Sequence, residues 1–207
     1  MKFFMCLILM LLIPAVCFAD FKEQNNNTDI NLRGLKKGDI IKFGIYPQSA
    51  GGIVRPIEWI VLDIQDGRAL VISRYGLEAK GFDEKTVDWR ESSIRRWLNG
   101  PFSEYAFSKC SVSFAPHPET GDFVFLLSLA EAKKYFTCNN ERICAPTPYS
   151  LRNWEDAMGP SCLWWLRTRS SSYDGFVCTV GGDGSLEPVS QITDGDRVAR
   201  PAIWIRF

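Results

Sequence analysis

Residues 57–75, IEWIVLDIQDGRALVISRY, hold two β-rich runs, Ile57 to Ile64 and Arg68 to Tyr75, on either side of Asp66-Gly67. An Asp-Gly pair between apolar runs is a strong two-residue hairpin signal, because the tight turn that fits strand twist needs a left-handed backbone at both central positions. Ile57, Trp59 and Val61 alternate with Glu58, Ile60 and Leu62, so only part of the hairpin offers a polar face. That pattern predicts a strand pair central in its sheet. Upstream, Asp39 to Gly44 reads as a short strand ended by Tyr46-Pro47-Gln48 and the Gly51-Gly52 loop.

Downstream the period changes. Ser92 to Pro101 predicts a helix, with serine at its start, Ile94, Trp97 and Leu98 on one face, and Asn-Gly-Pro as its stop. Phe102, Ala106 and Phe107 predict a further turn beside it. Ser128 and Glu131 spell a capping box ahead of the stripe Leu129, Ala132 and Phe136. Leu163 to Arg167, Phe176 to Val180, Ser185 to Ile192 and Ala202 to Phe207 read as strands, with a turn at Gly181-Gly182-Asp183-Gly184. Strands, then helices, then strands again predict an α+β fold with a mixed or antiparallel sheet and two short helices.

Lys2, the apolar run Phe3 to Ile13, Pro14, and small residues at Cys17 and Ala19 have the three-part grammar of a secretory signal. The expected organisation is a signal peptide at 1–19, a polar asparagine-rich linker at 20–37 and one globular domain at 38–207. The apolar run falls short of the ~20 residues that span a bilayer, and no later run reaches it. The mature chain is thus expected to be secreted or periplasmic, without a transmembrane segment. Lipidation at Cys17 is the weaker alternative, because Val16 is bulky where lipoprotein signals want a small residue. Net charge is +0 and no basic stripe interleaves with aromatics, so nucleic acid is not an expected partner.

Cys110, Cys138, Cys144, Cys162 and Cys178 remain after such a cleavage. Cys138 and Cys144 bracket the polar loop Asn139 to Ile143 and are the expected disulfide, with Cys162 and Cys178 as a second pair. No second Cys/His pair completes a zinc set, so neither a metal nor another cofactor is expected; calcium is the weak exception. Its candidate ligands, Asp183, Glu187, Asp194 and Asp196, also suit ordinary turn chemistry. His117, the only histidine, would have to serve any Ser-His-Asp or Cys-His catalyst, but between Pro116 and Pro118 it reads as a surface-loop residue. Trp164 and Trp165 read as core rather than as a sugar platform, and Arg167 and Arg200 as structural. The expected binding face is the loops Thr168 to Gly175 and Gly181 to Arg197, with Arg169, Tyr173, Asp183, Glu187, Asp194 and Asp196 as ligand-binding candidates.

Six segments in order, Phe43 to Gln48, Pro56 to Leu62, Ser92 to Asn99, Phe125 to Ser128, Trp164 to Arg167 and Arg200 to Trp204, resemble a bacterial family of extracytoplasmic domains without assigned function. That family looks like a divergent C-type-lectin-like fold, also used by formylglycine-generating enzymes and bacterial display proteins. Calcium lectins of this fold carry Glu-Pro-Asn or Gln-Pro-Asp together with Trp-Asn-Asp; here Glu187-Pro188 precedes Val189 and Trp-Asn-Asp is absent. The resemblance implies a non-enzymatic module for a protein or glycan at the cell envelope. The alternative is an enzyme on the same scaffold, a cysteine-based oxidase or a hydrolase.

Overall fold

Asp66 and Gly67 take left-handed backbone, with φ of 50° and 68°, as the two-residue turn requires. The turn joins β2 (Val54–Gln65) to β3 (Arg68–Ser73), antiparallel, with Gln65 opposite Arg68. β1 (Ile40–Pro47) covers the other side of β2, and β11 (Ala202–Arg206) runs along β3. The hairpin therefore occupies the interior of a six-stranded sheet, which β5 (Phe114–Ala115) and β6 (Val124–Phe125) complete by pairing with β11. This computed structural model describes residues 34–153, 159–186 and 189–206. The expected signal peptide, Cys17, all but the last residues of the expected linker, and Glu187 lie outside the described residues.

A second sheet has the order β4 (Glu78–Ala79), β10 (Val198–Ala199), β7 (Trp164–Arg169), β8 (Phe176–Val180) and β9 (Val189–Gln191). Its pairings are antiparallel except β10 with β7, where Val198 lies parallel to Trp164. Helix and sheet are thus mixed, as expected, with the helices short.

The helix expected from Ser92 to Pro101 is interrupted. Ser92 Oγ accepts from the Arg95 N–H at 3.3 Å and starts α1 (Ser93–Trp97), but regular winding ends there. Pro101 lacks an N–H, and Gly100 sits at φ −123°, ψ −105°, so residues 98–102 form a wide irregular turn before α2 (Ser103–Ala106). α3 (Leu129–Tyr135) opens on the full capping box: Ser128 Oγ accepts from Glu131 N–H at 3.2 Å, and the Glu131 carboxylate accepts from Ser128 N–H at 2.7 Å. The segment read as a polar loop after Cys138 is instead a helical turn, α4 (Asn139–Arg142). Among the described residues, the predicted pair of helices is therefore four short ones.

One apolar core connects both sheets, with Ile57, Trp59, Val61, Ile72, Leu166 and Ile205 wholly buried. Trp164 and Trp165 are wholly buried too, and each indole N–H finds a carbonyl, Arg142 at 3.1 Å and Lys80 at 2.8 Å. Buried indoles normally satisfy that N–H, so these two rings are core and present no sugar platform. Arg200 is buried beside them and donates to the carbonyls of Ser73 and Arg142 at 3.0 and 3.1 Å.

Candidate functional site

The predicted binding loops divide into separate local structures. Arg169 is exposed at the end of β7, and Tyr173 is exposed with its ring 5.7 Å from that of Phe176. The Asp183 carboxylate accepts from the Ser185 N–H at 3.0 Å, a bond within its own turn that holds its carboxyl below the usual range. Asp194 and Asp196 come together on one guanidinium: Arg197 meets Asp194 at 3.4 Å, pairs with Asp196, and donates to Ser190 Oγ at 2.8 Å. Carboxylates neutralised in this way do not converge on a cation. Among the described residues, no group of three or more His, Cys, Asp and Glu side chains could hold a metal ion.

The five cysteines within the described residues are free thiols. The expected Cys138–Cys144 pairing is not present, and α4 supplies the reason. It turns the chain between them, so that Cys138 faces solvent while Cys144 enters the core. Cys162 lies against Cys144, its Sγ 3.2 Å from the Cys144 carbonyl, rather than with Cys178, whose Sγ points to the Arg169 carbonyl.

His117 is buried, not on the surface. Its Nδ1 accepts from the N–H groups of Glu119 and Thr120 at 3.2 and 3.3 Å, which assigns the proton to Nε2, 2.7 Å from Glu131 Oε1. Arg167 pairs with the other Glu131 oxygen, donates to the Leu126 carbonyl at 2.8 Å and reaches Glu119 at 3.2 Å. Burial alone would raise the Glu131 carboxyl. The His117 hydrogen bond, Arg167 and the Ser128 N–H outweigh burial and hold it down at about 2. Both imidazole nitrogens are thus occupied by the protein, and the cluster works as a clamp between the 114–125 arm, α3 and β7.

A groove of about 280 Å³ opens on the outer face of the first sheet, lined by Lys42, Gln48, Arg55, Pro56, Glu58 and Tyr75. Strand register places Lys42 opposite Glu58, both on the face turned away from Phe43, Ile57 and Trp59. Glu58 accepts from Lys42 at 2.9 Å and from Arg74 at 2.7 Å, and those two bonds hold its carboxyl below the usual range. Arg74 lies 5.3 Å from the centre of the Tyr75 ring. Arg55 is exposed at the groove's end. Lys42 and Arg74 therefore share a single carboxylate, and Arg55 lines the same groove beside a wall made by Tyr75 and Pro56.

Gln48 is anchored from behind. Its carbonyl accepts from the Tyr149 N–H at 3.3 Å, its N–H donates to the Ile53 carbonyl at 2.9 Å, and Arg152 stacks on Tyr149 at 3.8 Å. Arg152 also meets Glu78 at 2.7 Å, and the Tyr46 hydroxyl donates to the other Glu78 oxygen at 2.8 Å. Burial and the Glu78 carboxylate push the Tyr46 phenol upward, so it stays protonated and keeps donating. Sequence reasoning did not select this groove. The one signal it left is the cross-strand pattern, charges at Lys42 and Glu58 flanked by apolar residues on the opposite face.

A family model described as a domain of unknown function matches residues 66–207. The chain belongs to that family, DUF6273. The DUF6273 match starts at the hairpin turn, so it takes in β3 through the C-terminal strand and the whole second sheet. It includes the His117–Glu131–Arg167 clamp and the Cys144–Cys162 contact, but of the groove's lining only Tyr75. The motif segments Phe43 to Gln48 and Pro56 to Leu62 fall before it. No curated protein and no solved structure matches the chain. Among the described residues of this DUF6273 member, no helix is long and apolar enough to cross a membrane.

Proposed function

We propose that the chain is a non-enzymatic, extracytoplasmic binding module of C-type-lectin-like type, and that the groove on β1 and β2 takes a glycan bearing carboxylates. The carrying observation is the Glu58 carboxylate shared by Lys42 and Arg74, with a further exposed cation, Arg55, lining the same groove. A groove with surplus positive charge and an aromatic wall suits a ligand that is anionic at its substituents and apolar on its ring face. The occupied nitrogens of His117 support a binding role over a histidine-dependent hydrolase. Export in this reading rests on the signal grammar of Met1 to Ala19. N-terminal sequencing of the processed protein is expected to begin at Asp20, and a lipid on Cys17 would replace that outcome.

The binding test is titration calorimetry with an oligomer of galacturonic acid and with its neutral galactose counterpart. Only the acidic oligomer is expected to bind. Arg55→Ala is expected to weaken it about tenfold, the loss of one charge-assisted contact. Equal binding of both sugars, binding unchanged in Arg55→Ala, or no binding of either would overturn the glycan assignment.

A further inference from the structure

The buried thiols outside the groove carry a separate reading. Cys144 and Cys162 stand 18 positions apart in the chain, yet the Cys162 N–H donates to the Cys144 carbonyl at 2.9 Å, and the Cys162 Sγ lies 3.2 Å from that oxygen. That backbone bond sets the two residues side by side, as a disulfide between them requires. The Cys144 thiol in turn points to the Arg74 and Ala145 carbonyls, at 3.9 and 3.5 Å. Gly76 makes the space: a side chain there would bring its Cβ to 3.3 Å from the Cys162 sulfur and 2.5 Å from Val198. Beside them, Arg200 supplies positive charge.

We propose that Cys144 and Cys162 are the protein's redox pair, closing to a disulfide by exchange with an external disulfide of the glutathione type. The Cys144 thiolate attacks one sulfur of the external disulfide, forming a mixed disulfide and expelling one thiolate. Cys162 gives up its proton to that leaving group and attacks the Cys144 sulfur. A new sulfur–sulfur bond forms, the mixed one breaks, and the second external thiol departs. Two protein thiols are oxidised and one external disulfide is reduced to two thiols. Cys144 is the attacking member on chemical grounds. Burial raises its thiol, but the neighbouring Cys162, the Arg200 charge and the Gly76 N–H outweigh this and lower it. Cys162 is pushed up, first by the neighbouring Cys144 and then by burial. Both sulfurs are buried, so exchange takes place through a local opening in which Arg200 and Gly76 still flank Cys144.

The proposal is independent of where the chain resides and of what the groove binds, so the test uses purified protein in defined redox buffer. The reduced chain is refolded across ratios of oxidised to reduced glutathione, quenched with acid, denatured, alkylated and digested without reductant. The expected result is a peptide linking Cys144 to Cys162, with Cys110, Cys138 and Cys178 alkylated. In Cys162→Ser, glutathione is expected to remain trapped on Cys144. A linkage of Cys138 to Cys144 or of Cys162 to Cys178 would overturn the assignment. So would full alkylation of wild type at the most oxidising ratio.

Discussion

Glu131 closes the capping box of α3, neutralises Arg167 and accepts from His117, all through one carboxylate. Removing its charge leaves Arg167 buried with only the exposed Glu119 as counter-ion. Glu131→Gln is therefore expected to destabilise by on the order of 3 kcal/mol, read by urea unfolding at neutral pH. The sign of the pH effect follows from linkage. The folded carboxyl, at about 2, lies below its ordinary 4.5. Its contribution is complete above about pH 4.5 and is lost as pH falls toward 2. Unfolding midpoints between pH 6 and 3 are expected to drop in wild type and to flatten in Glu131→Gln. Arg200 is the second such residue. Arg200→Met is expected to cost about 2–4 kcal/mol by the same measurement, because the buried Ser73 carbonyl loses this donor.

Two turns govern how elements meet, and they differ in what they tolerate. At the hairpin, Gly67 holds a left-handed backbone, and Gly67→Ala is expected to cost about 1 kcal/mol for that conformation. Gly184 has a positive φ as well, 80°, but it also docks the second sheet on α4. A Cβ there would lie 1.9 Å from the Asn139 carbonyl oxygen, and the Gly184 carbonyl accepts from Arg142 at 2.8 Å. Backbone cannot yield as a side chain does. Gly184→Ala is thus expected to cost at least about 3 kcal/mol and to lower the melting temperature well below that of Gly67→Ala.

Across the whole molecule, the two sheets share one core, so constraints at one place stabilise the unit. A Cys144–Cys162 bond would close a loop of intermediate length, worth about 3 kcal/mol in the chain-entropy model. Reductant is then expected to lower the melting temperature of the oxidised protein by about 10 °C and to leave Cys162→Ser unchanged. Binding at the groove is expected to weaken as salt rises from 0.05 to about 0.5 M, since exposed cations are screened on that scale.

Much of the fold was legible because its signals are local. Asp66-Gly67, the Ser128–Glu131 box and the apolar strands each specify an element from neighbouring residues alone. The break at Gly100-Pro101 was half legible, since the same residues read as a stop are where regular winding fails. What stayed hidden depends on residues far apart in the chain. Trp164 and Trp165 were recognisable as core from their apolar neighbours, but the burial of His117 was not, because its partners Glu131 and Arg167 arrive on α3 and β7. Spacing pointed Cys138 toward Cys144, and the turn of α4 between them defeats it. The groove escaped notice because Lys42, Arg55, Glu58 and Tyr75 come to line one surface only after the strands pair. The sequence by itself determined turns, caps and core faces, where the physics is backbone conformation and burial of apolar surface. Tertiary structure alone decided which charged, imidazole and thiol groups face one another, because register and packing set distances that chain spacing does not encode.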